Sequence, residues 1–168
     1  MSDRSRVSVL CLLGAAAVLL AAVPAAPAGD YIHEDARIEG KEIHSFADGG
    51  RDVMVVLGDF KLTLGQYVLS GRDAVLWISS KPATGGLSLY DIEVYVEGNA
   101  RVHEPSGTTT NDRMMLVTLR AMGRMRATGT MSDKALADFP LYKRAVEVRK
   151  ETAEAAAGTR KATEPPAL

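Results

Sequence analysis

The chain holds one cysteine in 168 residues, Cys11, and it lies inside an apolar run near the N-terminus. If that run is removed, neither disulfides nor thiolate metal sites can hold the remainder together, so its stability has to come from a packed core. Charge of one sign is missing too: 20 Lys and Arg stand against 21 Asp and Glu, for a net charge of -1. With no basic cluster of the kind that tracks a phosphate backbone, the sequence argues against nucleic acid as a partner. Histidine is scarce. His33-Glu34-Asp35 and His44 lie in a polar stretch with no repeated ligand spacing, which reads as solvated surface rather than a metal site. No Ser-His-Asp set, Cys-His set or carboxylate pair stands out, and Gly49-Gly50 and Gly85-Gly86 are turn glycines without a phosphate-binding helix behind them. His103 and Glu104 are neighbours on a strand end, so their side chains face opposite sides and are poorly placed to share a proton. The expectation is a protein that is not an enzyme and carries neither metal nor cofactor.

What is present falls into three parts. Arg4 and Arg6 precede the apolar stretch Val7 to Val23, and Ala26-Pro27-Ala28 supplies small residues for cleavage before Gly29-Asp30, the layout of a secretory signal over residues 1–28. An uncleaved anchor is the alternative, because this almost wholly apolar run of 17 residues reaches the lower limit for a spanning helix. Pro24, Pro27 and the alanines favour cleavage. Residues 30–133 read as one β domain. Residues 134–157 change character to Ala, Glu, Lys and Arg, and a short helix is expected from Pro140, with Leu141, Ala145, Val148 and Ala155 as its apolar stripe and Thr152 as a gap. Residues 158–168 have almost nothing to bury and are expected to be a disordered tail.

Within the β domain the apolar pattern has a period of two. Val53 to Leu57 is a valine-rich run suited to burial on both faces. Phe60, Leu62 and Leu64 then alternate with Lys61 and Thr63, and Ile92, Val94 and Val96 with charged residues and Tyr95, while Met115 and Val117 repeat the pattern further on. Trp77, the single tryptophan, reads as a core residue. A repeat underlies these strands. Gly58-Asp59 lines up with Gly98-Asn99 at an offset of 40, and Ser70-Gly71-Arg72-Asp73-Ala74 falls on Thr110-Asn111-Asp112-Arg113-Met114 at the same offset. Each of these short polar pieces reads as a turn, giving stacked β-hairpins of one kind. Arg113, Arg120, Arg124 and Arg126 form the densest positive region, and the sharper expectation for them is a rim that meets phosphate or carboxylate groups.

The progression Gly58-Asp59-x-x-Leu62, then Tyr67 to Ile78, then Tyr95-Val96-Glu97-Gly98-Asn99-Ala100-Arg101-Val102, resembles the organic-solvent-tolerance (OstA-like) family, which includes periplasmic lipopolysaccharide-transport proteins. The likeness covers about Val53 to Thr130. Ala100 stands where that family has valine, and Gly71-Arg72-Asp73-Ala74 stands where it has an Ala-Asp pair.

The resemblance implies an all-β fold: antiparallel stacked hairpins forming a jelly roll or taco-like sandwich, here with a short C-terminal helix. It further implies a periplasmic, non-enzymatic role in outer-membrane biogenesis, holding acyl chains of lipopolysaccharide or a related lipid between two sheets. Phe60, Leu62, Leu64, Trp77, Ile92, Val94, Val96, Met115 and Val117 are then the lipid-lining candidates. They serve equally well as the filling of a closed core. Edge-strand contact with itself or with other envelope transport proteins is the second implied partnership. An exported scaffold that binds another envelope protein by strand addition is the alternative function.

Overall fold

A computed structural model describes residues 31–162, with side chains to residue 156. The expected signal at residues 1–28 lies outside the described residues. Eight strands precede one helix: β1 Ala36–Asp48, β2 Arg51–Leu57, β3 Phe60–Leu64, β4 Tyr67–Gly71, β5 Asp73–Pro82, β6 Ser88–His103, β7 Thr109–Gly123, β8 Met125–Ser132 and α1 Pro140–Ala162. The fold is all-β with a C-terminal helix. Neighbouring strands pair antiparallel, except that β8 runs parallel to β1. Pairings close into a ring of six strands, β1-β2-β5-β6-β4-β3 and back to β1, with β7 beside β6 and β8 beside β1.

The ring closes because the ribbons bend where the sequence expected them to reverse. The Gly58-Asp59 and Gly98-Asn99 pairs are not hairpin turns. At Gly58-Asp59 the chain runs on from β2 into β3, both of which pair with β1 in one direction. Gly98-Asn99 sits inside the continuous β6, at a register shift against β7. All four residues have left-handed φ, 73° and 54° at the first pair and 78° and 58° at the second, a conformation that Gly, Asp and Asn tolerate best. At each pair the bulged strand carries one residue more than its partner, and such an excess bends the strand and raises its twist. Between the two bulges, Arg72 separates β4 from β5, and its N–H points at the Glu97 and Gly98 carbonyls while its carbonyl accepts from Phe60. The 40-residue offset is thus a structural repeat: two bulged ribbons, each followed by an unbulged one. True reversals lie elsewhere, at Gly49-Gly50 between Asp48 and Arg51 and at Gly65-Gln66 between Leu64 and Tyr67. The glycines at 49 and 50, with φ of 58° and 76°, suit the two-residue hairpin turn that matches strand twist.

The bend brings facing sheets so close that glycine is required along it. A Cβ on Gly40 would run into Val56 Cγ1, and one on Gly71 into Val96 Cγ1. Inside the bend, Ile38, Ile43, Val56, Phe60, Leu62, Leu64, Leu69, Leu76, Ile92, Val94 and Val96 form one buried cluster. Outside, Val53, Val55, Val75, Trp77 and Tyr95 form a second, covered by Leu141, Tyr142 and Ala145 of α1. Strand β5 separates the two and is buried on both faces, with Ala74, Leu76 and Ile78 inward and Val75 and Trp77 outward.

Several boundaries differ from the sequence reading. The sequence suggests a short strand at Arg37 to Gly40, but β1 covers Ala36–Asp48, since pairing with three strands extends it. Ser106 to Asp112 reads by composition as a polar turn, yet β7 begins at Thr109, because β6 supplies a register partner for each of Thr109 to Asp112. Gly123, which the sequence suggests as a bulge within a continuing strand, is where β7 ends, pressed against the Glu34 backbone. Helix α1 runs on to Ala162, past the expected stop, and residues 163–168 lie outside the described residues.

Candidate functional site

Eight of the nine lipid-lining candidates fall on one apolar surface. Phe60, Leu62, Leu64, Ile92, Val94 and Val96 are buried in the inner cluster, and Met115 and Val117 pack against it while remaining half-buried. Trp77 does not share that surface. An odd position on β5 points it outward, where its ring meets Tyr142 at 6.2 Å between centroids and the Arg149 guanidinium lies 4.9 Å from its centre. The inner surface is least covered along β7. Among the described residues, Thr109 to Leu119 pair with β6 on one side and have no ladder on the other. Only near Ala121 does a second partner arrive, where Ile32 accepts from the Met122 N–H and donates to the Arg120 carbonyl.

The four arginines do not form one rim. Seven residues separate Arg113 from Arg120, roughly 23 Å along an extended strand. The Arg120 guanidinium is held by Asp91 at 3.1 Å and lies over the Tyr31 ring. Arg124 is exposed, and its backbone N–H donates to Asp35. Arg126 stands opposite Arg37 across the parallel β8–β1 pairing, beside a shallow hollow that Glu34 and Asp35 also line. Arg113 instead shares a surface hollow with Arg101, Asn99, Asn111 and Asp112. Arg101 was not singled out from sequence. Its nearness to Gly98-Asn99 was legible there, but its register partner across β7 was not.

The outer face is tied to α1 by a polar network. Arg144 grips Glu97 through Nη2 to Oε1 at 2.6 Å and Nε to Oε2 at 3.2 Å, and the Tyr95 hydroxyl donates to Glu97 Oε2 at 2.8 Å. Arg144 therefore holds the Glu97 carboxyl below its ordinary range, against the opposing effect of burial, and Tyr95 adds to the lowering. Burial, reinforced by Glu97, pushes the Tyr95 phenol up to about 12. Glu93 accepts from both Arg51 at 2.8 Å and Arg149 at 2.5 Å, and the Tyr142 hydroxyl donates to Asp48. Beside these contacts lies an open groove of about 540 Å³ between α1 and β7, floored by Leu116 and Val146.

Two of the three histidines make contacts that tie the fold together. His44, expected on the surface, is buried at 5% exposure because β1 lies between β2 and β8; its ring contacts Glu42 at 2.6 Å and the Lys134 carbonyl at 3.3 Å. The ring of His103 bonds Thr109 across the β6–β7 hairpin. Among the described residues, no group of three His, Cys, Asp or Glu side chains is placed to hold a metal ion. No described helix is long and apolar enough to cross a membrane. No protein-family model, curated protein or solved structure matches this chain.

Proposed function

We propose that the protein is a non-enzymatic, exported lipid-binding module of the cell envelope, which holds the acyl chains of lipopolysaccharide or a related lipid against its inner apolar face. The finer shape in this reading is one mostly antiparallel sheet folded over at its bulges, taco-like, with the two limbs as the walls of the lipid site. One observation carries the reading: a continuous apolar face ends in half-buried Met115 and Val117, on a strand whose outer edge has no ladder from Thr109 to Leu119 among the described residues. A chain entering beside β7 would meet Val117, Met115 and then the packed side chains of β6. Those side chains fill the interior in this form, so occupancy requires the β7 limb to swing outward. Burial of acyl chain provides the drive, at about 0.8 kcal/mol per methylene.

The test is native mass spectrometry of the protein purified from an envelope fraction, with added lipopolysaccharide as a second arm. Lipid bound at near-stoichiometric level supports the reading. A clean unliganded mass in both arms removes it. The same edge supports a second reading, in which a strand of another envelope protein, or of a second copy, adds to Thr109 to Leu119. A photo-crosslinking side chain at exposed Thr118 tests this in the native envelope: a defined protein adduct supports strand addition, and no adduct removes it.

A further inference from the structure

The arginines of the sheet and of α1 differ in whether a carboxylate lies within ion-pair distance, and among the described residues Arg37, Arg124 and Arg126 are not in such a pair. Arg51, Arg72, Arg120, Arg144 and Arg149 each sit within ion-pair distance of a carboxylate. Arg101 and Arg113 have no such carboxylate among the described residues, yet they line one hollow of about 440 Å³ at the second bulge. Their placement follows from register. Arg101 is directly opposite Asn111 on β7, and Arg113 lies two residues further along that strand, facing the Gly98-Asn99 bulge. Diagonal neighbours of this kind are about 7–8 Å apart at their backbones, within reach of two long side chains closing on one group. Arg101 is already oriented, because its Nε donates to Asn111 Oδ1 at 2.8 Å and leaves both terminal nitrogens available. The acidic residue in the hollow is partly committed, since Asp112 Oδ1 accepts from the Arg113 backbone N–H at 2.6 Å. An adjoining hollow shares Asn99 and Arg101 and is lined by Arg72, whose charge is taken up by Asp73, and by Asp59, which pairs with Lys41 at 2.8 Å.

We infer that Arg101 and Arg113, with the side-chain amides of Asn99 and Asn111, form an anion site for a phosphate monoester. Two guanidinium forks match the tetrahedral oxygens of phosphate, and the amides supply further donors without charge. The inference deepens the lipid reading on which it rests. The site lies on the free-edged strand β7 and its neighbour, so a phosphorylated headgroup would be gripped on the outer side of the bulge while its acyl chains pass the edge toward Met115 and Val117. It also separates Arg113 from Arg120, Arg124 and Arg126, which have no part in the site.

Inorganic phosphate titrated into the full chain, followed by amide chemical shifts, tests the site directly. Saturable shifts confined to residues 98–101 and 111–113 are expected, and each of Arg101→Gln and Arg113→Gln should weaken them about tenfold. Shifts that persist in the double variant, or no saturation into the tens of millimolar, overturn the site. Arg126→Gln is the control and should change nothing. Both positions are exposed, so the variants are expected to keep the wild-type unfolding midpoint. Sedimentation with phosphatidylcholine vesicles, with and without phosphatidic acid, separates the sources of phosphate. Binding that requires phosphatidic acid and is lost in the double variant assigns the site to a lipid headgroup. Phosphate shifts without vesicle binding overturn the headgroup assignment and leave a soluble phosphorylated ligand. If the wild type never carries lipid but still takes phosphate, the lipid reading fails alone. Lipid carried equally by the double variant makes the anion site fail alone.

Discussion

The two apolar clusters on either side of β5 are closed by different means. The inner one is almost wholly aliphatic and is covered by the sheet's own strands after they bend at the bulges. The outer one is centred on Trp77, Tyr95 and Tyr142 and is covered by a separate element, α1. Inner closure depends on backbone pairing between residues far apart in the chain, which holds the walls in register. Outer closure depends on three side chains of one helix, assisted by Arg144, Arg149 and Tyr142 reaching carboxylates on the sheet. The sheet can therefore lose its cover without losing its pairing, whereas the inner cluster cannot open without moving a strand.

The sharpest way to break this comparison is to remove one residue from each side of β5. Trp77→Ala is expected to cost about 3–5 kcal/mol and Leu76→Ala about 2–5 kcal/mol in urea unfolding. In a chain ending at Asp138 the Trp77→Ala cost should shrink markedly, because Tyr142 and Arg149 are gone, while the Leu76→Ala cost should persist. Equal costs in both backgrounds, or failure of the shortened chain to fold, would show that the two clusters are one cooperative unit. A smaller effect probes the bend. Gly71→Ala places a methyl against Val96 and should cost about 1–3 kcal/mol, read by thermal unfolding. A neutral outcome would mean that the sheet limbs have room to part.

Acid should act on the outer cover first. Glu97 has a folded-state pKa lowered from 4.5, so its contribution is present above that value and is lost as pH falls through the lower folded value. Tryptophan fluorescence, reporting Trp77 beneath α1, is expected to change in that acid range before the far-ultraviolet β signal does. Coincident changes would contradict separate closure. Alkali sharpens the same point. With the Tyr95 phenol raised to about 12, its contribution is present below pH 10 and declines as pH rises through the folded value. The smallest expected effect is that of Arg144→Gln, at about 1 kcal/mol or less, because this arginine is half exposed and screened by solvent.

Much of the inner surface was legible from alternation alone. Phe60, Leu62, Leu64, Ile92, Val94 and Val96 share a face because side chains on a strand repeat every two residues. Trp77 was misplaced because β5 is apolar at five consecutive positions, so alternation carried no sign of which face each residue takes. The bulges were visible as a repeat but were read as reversals, since a Gly-Asp or Gly-Asn pair has the same local chemistry in a hairpin turn and in a bend. The rim of four arginines failed because proximity in sequence on a strand is not proximity in space beyond a few residues.

The sequence by itself determined that the chain is all-β with a helix at its end, which residues could be dry, and where the backbone could take left-handed φ, because these depend on local sterics and polarity. Tertiary structure alone decided which strand lies beside which, that β8 returns parallel to β1, that Trp77 faces a helix, and that Arg113 keeps company with Arg101. Those outcomes depend on register between distant segments. A one-residue change in register turns every side chain of a strand to the other face without altering any local preference.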